Sequence, residues 1–222
     1  MDSVGERKTK PVLVFDLDET LIASVNKYDE EIMAYRVTRI IINHKLLKII
    51  YTAKEKEYLV LLLTNNENDK VTFDGVEGRF VDFAVGEITK AYNEKYKPVE
   101  QVFDKILTAE HSSARKYLKK RIDTHYKHNN ENIIRYYAKP VKSLEDVRTM
   151  LGYHVKGEDV YFFDDDSEHR LCRESNFIHI TPPFNRKEDE TDYSLLNSID
   201  IHTGGKRYTR RRGSKKRKLK EL

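Results

Sequence analysis

Two aspartates, Asp16 and Asp18, close the apolar run Val12–Phe15 in "VLVFDLDETL". Residues two apart on extended chain point to the same side, so both carboxylates face one place and repel each other there. A bound cation resolves that repulsion, and oxygen ligands suit Mg²⁺, which typically takes one or two carboxylates together with phosphate and water. Three further apolar runs end in polar groups fit for the same task. "YLVLLL" ends at Thr64-Asn65, "NIIRYYA" at Lys139-Pro140, and "DVYFF" at Asp164-Asp165-Asp166. One aspartate after a strand is usually a turn or cap residue. Four such endings together point to a single site, because ligands of open α/β sheets bind outside the carboxyl ends of the strands.

The elements that must position these groups follow from periodicity. Short, continuous apolar runs predict strands buried on both faces at Val12–Phe15, Tyr58–Leu63 and residues 159–163, with a further strand over 177–180. "VFDKIL" and 132–138 are also expected as strands. Apolar residues at 46, 47, 49, 50 and 53 predict a helix over Lys45–Glu57. Helices are also expected from Phe80 to about Tyr96 and over Ser113–Tyr126. "LEDVRTML" is expected to be helical, with Ser143 as N-cap and Gly152 just past its end. Alternating strands and helices predict an α/β fold, a Rossmann-like, open and mostly parallel sheet flanked by helices. The expected organisation is a disordered stretch at 1–10 and a catalytic domain at 11–185. Residues 66–131 are expected to include a helical insertion or lid, and 186–222 to form a disordered tail.

Charge divides the chain. Residues 206–222 carry ten basic side chains: Lys206, Arg207, Arg210, Arg211, Arg212, Lys215, Lys216, Arg217, Lys218 and Lys220. Against them stands Glu221, so this segment has a net charge of +9, and the total of +4 leaves −5 for the remaining residues. Such a run binds nucleic acid electrostatically or serves as a nuclear localisation signal. One cysteine, Cys172, excludes an internal disulfide and argues against a secreted scaffold. No apolar run approaches the roughly 20 residues that span a bilayer. These features predict an intracellular protein of the cytoplasm or nucleus with no membrane partner.

"FDLDET" resembles the first motif of the haloacid dehalogenase superfamily, DxDx[TV]. "LLLTNN" resembles its second motif, "AKP" its third and "YFFDDD" its fourth, over about residues 11–181. The form "DLDETL" is most similar to the branch of RNA polymerase II C-terminal-domain phosphatases, and "FFDDD" to small magnesium-dependent phosphatases. An Arg-Pro-Gly-type segment of the former is not found in "YRVTRIIINHKLLKII". The resemblance implies a Mg²⁺-dependent phosphatase, a hydrolase acting on a phosphoprotein. Asp16 would be the nucleophile that becomes an aspartyl-phosphate. Asp18 would be the acid and base. Thr64 and Asn65 would bind the substrate, and Lys139 would neutralise charge, with Lys142 the alternative lysine. Asp16, Asp18, Asp164 and Asp165 would hold the metal, with Asp166 an alternative ligand.

A nucleic-acid 3′-end phosphatase and a non-catalytic module of the same fold, targeted by its basic tail, are the other readings. Gly204-Gly205 followed by mixed Lys, Arg and Thr resembles tails on proteins of large DNA viruses, which would make the protein virion-associated. His125 and His128 read as part of a solvated polar face rather than a metal pair, for want of a third ligand. Cys172 reads as a packed small hydrophobe. Tyr136 and Tyr137 read as packing residues, with lining of the pocket as the alternative.

Overall fold

Three of the apolar runs lie side by side in the middle of one sheet. The structure, a computed structural model, describes residues 10–29, 34–66, 70–108, 141–181, 184 and 189–203. The described strands are β1 (Val12–Phe15), β2 (Ile22–Asp29), β3 (Ala34–Ile42), β4 (Leu59–Leu63), β5 (Lys70–Phe73), β6 (Val76–Arg79), β7 (Lys105–Leu107), β8 (Val160–Asp164) and β9 (Asn176–His179). The described helices are α1 (His44–Glu55), α2 (Phe80–Lys95), α3 (Leu144–Leu151) and the single turn α4 (Leu171–Glu174), with 3-10 turns at Gly157–Asp159 and Ser194–Ile199. None of these helices is long and apolar enough to cross a membrane.

The main sheet has the order β7-β4-β1-β8-β9, with every neighbouring pair parallel. Strand alternation sends its side chains into two cores. Leu13, Phe15, Val60, Leu62, Tyr161 and Phe163 join the α1 and α2 side, where Phe15 and Phe163 stack with ring centroids 4.3 Å apart. Val12, Val14, Leu61, Leu63, Val160 and Phe162 join the opposite side with Leu144, Val147 and Met150 of α3. The expected α/β architecture is therefore the observed one. A sheet buried on both faces also explains why these strands read as unbroken apolar runs.

The helix starts are tied down locally. Asn43 caps α1, its Oδ1 accepting from the backbone N–H of Lys45 and Leu46 at 3.2 and 3.3 Å. Ser143 precedes α3, and its N–H and hydroxyl both donate to Asp146 Oδ2 at 2.9 Å. Gly152 ends α3 at φ 77°, the left-handed conformation a residue with a Cβ disfavours.

The structure corrects the sequence reading in three places. Between β1 and α1 stands an antiparallel hairpin, β2–β3, which belongs to a second sheet of order β2-β3-β5-β6. Within the stretch expected to include a helical insertion, the helix expected from Phe80 is α2 and the strand expected in "VFDKIL" is β7, but the β5–β6 hairpin that precedes them was not expected. Residues 189–203, expected to be disordered, are packed: Tyr193, Leu196, Ile199 and Ile201 are buried in the α1 side of the core. The helix expected at 113–126, the strand at 132–138, His125, His128, Tyr136, Tyr137 and the basic run from Lys206 lie outside the described residues.

Candidate active site

Register brings the acids together. β1 pairs with β8 so that Phe15 is level with Phe163, which puts Asp16 and Asp164 side by side one residue further on. The N–H of Asp16 donates to the Phe163 carbonyl at 2.9 Å and holds that register past the end of β1. By alternation both aspartates follow Val14 and Phe162 towards the α3 side. Lys142 stands just before α3 on that same side. Its Nζ lies 2.5 Å from Asp16 Oδ1 and 2.6 Å from Asp164 Oδ2, and 5.6 Å from the centre of the Phe162 ring. Lys142 is 3% exposed, Asp16 6% and Asp164 1%, so this is a buried ion triad at the sheet edge.

Asp165 completes the carboxylate group. One oxygen each of Asp16, Asp164 and Asp165 lies within 4.8 Å of the others, a cluster able to hold a metal ion. Thr20 orients Asp165: its hydroxyl is 3.3 Å from Asp165 Oδ1 and accepts the Asp165 N–H at 3.2 Å. Asp166 lines the same pocket; its Oδ1 accepts from the Glu168 N–H at 2.9 Å, and its own N–H donates to Asp164 Oδ1 at 2.8 Å. Asp18 lines the same pocket, and Asn66 Nδ2 donates to its Oδ2 at 3.2 Å. Leu17, Asp18 and Glu19 lie on a tight turn in which the N–H groups of Leu21 and Ile22 both donate to the Leu17 carbonyl. Glu19 takes φ 58° there. Asn43 Nδ2 holds the turn by donating to the Thr20 carbonyl at 3.1 Å.

On the other flank β4 delivers Thr64, which is 2% exposed. Its N–H donates to the Leu107 carbonyl of β7 at 3.0 Å, and its hydroxyl oxygen accepts from the Asn66 N–H at 3.1 Å. The hydroxyl proton is thereby left to donate elsewhere. Asn65 lines the same pocket, an opening of about 440 Å³ above the acids.

The electrostatics show a surplus of negative charge. Burial pushes the Asp16 carboxyl up to about 8 despite the opposing charge of Lys142. Burial, with the neighbouring Asp164, pushes Asp165 up to about 6, and burial raises Asp18. Burial alone would lower Lys142, but Asp16 and Asp164 outweigh it and hold the ammonium above its usual range. Among the described residues, Lys142 is the lysine that lines this pocket, against the carboxyl groups of Asp16, Asp18, Asp164 and Asp165 among others, an imbalance a divalent cation neutralises.

The structure thus gathers Asp16, Asp18, Thr64, Asn65, Asp164 and Asp165 in one pocket. The lysine it brings to them is Lys142; Lys139, favoured from the sequence, lies outside the described residues. The signal for Lys142 was its place directly before the N-cap of a helix covering the acid-bearing face. His169, 4% exposed, also lines the site, and no spacing in the sequence marked it. Cys172 is half-buried, and burial pushes its thiol up to about 11, in keeping with a packed, unreactive thiol.

No family model matches the chain, and no curated protein matches it. Among solved structures, a similar chain is that of a hypothetical protein from Xanthomonas campestris, with 11% sequence identity and a TM-score of 0.35. The match covers 76% of this chain and 62% of that one, so the chain spans less than two thirds of that protein's length.

Proposed function

We propose that the protein is a Mg²⁺-dependent phosphomonoester hydrolase of haloacid dehalogenase type that works through an aspartyl-phosphate on Asp16. The observation that carries this reading is the buried Asp16–Lys142–Asp164 triad, with Asp165 beside it and Asp18 lining the same pocket. The donor set fits Mg²⁺: it is all oxygen, and its excess negative charge calls for a divalent ion. Bound there, Mg²⁺ supplies the positive charge that lets a carboxylate approach an anionic phosphoryl group.

Asp16 attacks phosphorus, the bond to the leaving oxygen breaks, and Asp18 gives its proton to that oxygen. The raised Asp18 carboxyl suits the acid, and the Asn66 amide fixes its direction. In the second step Asp18 takes a proton from water, which attacks phosphorus and frees Asp16. The Thr64 hydroxyl donates to a phosphoryl oxygen, and the Lys142 ammonium offsets charge on Asp16 and on the transferring group. A phosphoprotein is the proposed substrate. The ten basic residues of 206–222 favour a second reading, a nucleic-acid end phosphatase. Removing them would then weaken action on a polynucleotide alone, and most at low salt.

Hydrolysis of para-nitrophenyl phosphate tests the proposal. Turnover is expected with Mg²⁺ and lost in chelator. Asp16→Asn is expected to lower kcat by more than about 1,000-fold, as removal of a nucleophile does. Turnover that survives both changes would refute the mechanism.

A further inference from the structure

Lys142 lies in irregular chain between residue 141 and the start of α3, so no helix or strand hydrogen bonding fixes its backbone. Both of its backbone polar groups are instead held by the turn that opens α4. The Lys142 N–H donates to His169 Nδ1 at 3.4 Å, and the Lys142 carbonyl accepts from the Leu171 N–H at 2.9 Å. Because Nδ1 accepts, a neutral ring carries its proton on Nε2. Nε2 faces Asp164 Oδ2 at 3.6 Å and Asp166 Oδ2 at 3.9 Å. The imidazole also packs on Phe162, with centroids 6.3 Å apart, and the Lys142 ammonium sits over that same ring. His169 therefore touches the lysine at its backbone and faces, at its far nitrogen, the aspartate that the lysine pairs with.

We infer that His169 is a positioning residue for Lys142: it fixes the lysine backbone at the height where the ammonium falls between Asp16 and Asp164. The activity readout of this role rests on the phosphatase reading above; the contact itself does not. The role inferred here is the one His169 plays through the Lys142 backbone, separate from its Nε2 facing Asp164. Two substitutions separate this role from simple packing. His169→Phe keeps a buried ring and removes the acceptor. His169→Asn loses ring volume but keeps an acceptor, because Asn Oδ1 overlays His Nδ1.

The test uses the full chain with Mg²⁺ and para-nitrophenyl phosphate, alongside acylation of lysines in the native protein read by mass spectrometry. His169→Phe is expected to lower kcat about 10- to 100-fold, the usual cost of losing such a supporting contact. KM should change less than about threefold. His169→Asn should recover most of that loss. The Lys142 amine should resist acylation in the native chain and in His169→Asn, and react in His169→Phe. A His169→Phe chain with unchanged kcat and a protected Lys142 would overturn the inference, as would Asn behaving like Phe. If the native chain hydrolyses nothing, the phosphatase reading fails and acylation alone decides: a protected Lys142 in His169→Phe refutes the positioning role. If His169→Phe does not fold, His169→Asn decides by the same protection.

Discussion

Asp16 touches a lysine, yet its carboxyl is pushed up to about 8, because the loss of water around it outweighs that one cation. The folded, metal-free protein therefore binds this proton more tightly than the unfolded chain, whose carboxyl titrates near 3.8. The associated stability is complete below 3.8 and is lost as pH rises towards about 8. Asp18 and Asp165 shift the same way, Asp165 to about 6. In chelator, the melting temperature is expected to fall by several degrees across that window, since about 1 kcal/mol moves it about 2–4 °C in a chain of this size. Asp16→Asn should remove the largest part of the slope, and Mg²⁺ should restore stability at the alkaline end by binding only the folded form. Thermal unfolding followed against pH checks this; equal slopes in the native chain and Asp16→Asn would contradict it. At this scale the acids and Thr64 were legible because each ends an apolar run. Lys142 and His169 were less so, since Lys142 meets Asp16 and Asp164, and His169 meets Lys142, only across long stretches of chain.

Among elements, α1 and the turn after β1 share one residue. Asn43 accepts from two N–H groups at the helix start and donates to the Thr20 carbonyl, so the cap also anchors the turn that carries Asp18. Asn43→Ala is expected to cost about 1–2 kcal/mol, the upper part of the range for a lost cap, because the buried Thr20 carbonyl also loses its donor. Urea unfolding measures the cost, and kcat should fall with it; an unchanged midpoint would break the link. β1, β4 and β8 were readable from sequence because burial on both faces leaves no room for polar interruption. The β2–β3 hairpin was not, since "IASVNKYD" mixes polar and apolar residues and shows no clean alternation. β5–β6 did carry a usable signal. Asp74-Gly75 joins two four-residue strands, and both turn residues take positive φ, 49° and 78°, as a two-residue hairpin turn requires.

For the whole molecule, the segment 189–203 closes the core over α1. Tyr193 receives the Lys45 ammonium 4.2 Å from its ring centre, and Lys45 pairs with Asp189 at 2.8 Å. Tyr193, Leu196 and Ile199 recur every third residue, the period of a 3-10 turn, and such sparse spacing is easily read as loss of order. With Ile201 they bury four apolar side chains. At about 1.5–3 kcal/mol each, these rival the whole stability of an ordinary domain, about 5–15 kcal/mol. A chain cut after residue 188 is expected not to fold. Circular dichroism checks this, and a folded 1–188 would overturn the assignment. The segment ends near where the described chain begins: Lys56 pairs with Asp200 at 2.7 Å, and the adjacent Glu57 pairs with Lys10 at 2.6 Å. Lys56 and Glu57 lie just before β4, whereas the pocket lies beyond its far end. A tether attached ahead of Lys10 or after Thr203 therefore leaves from the edge opposite the pocket. Protein immobilised on a sensor surface through either point would turn the sheet edge that carries Asp16 and Asp164 away from that surface.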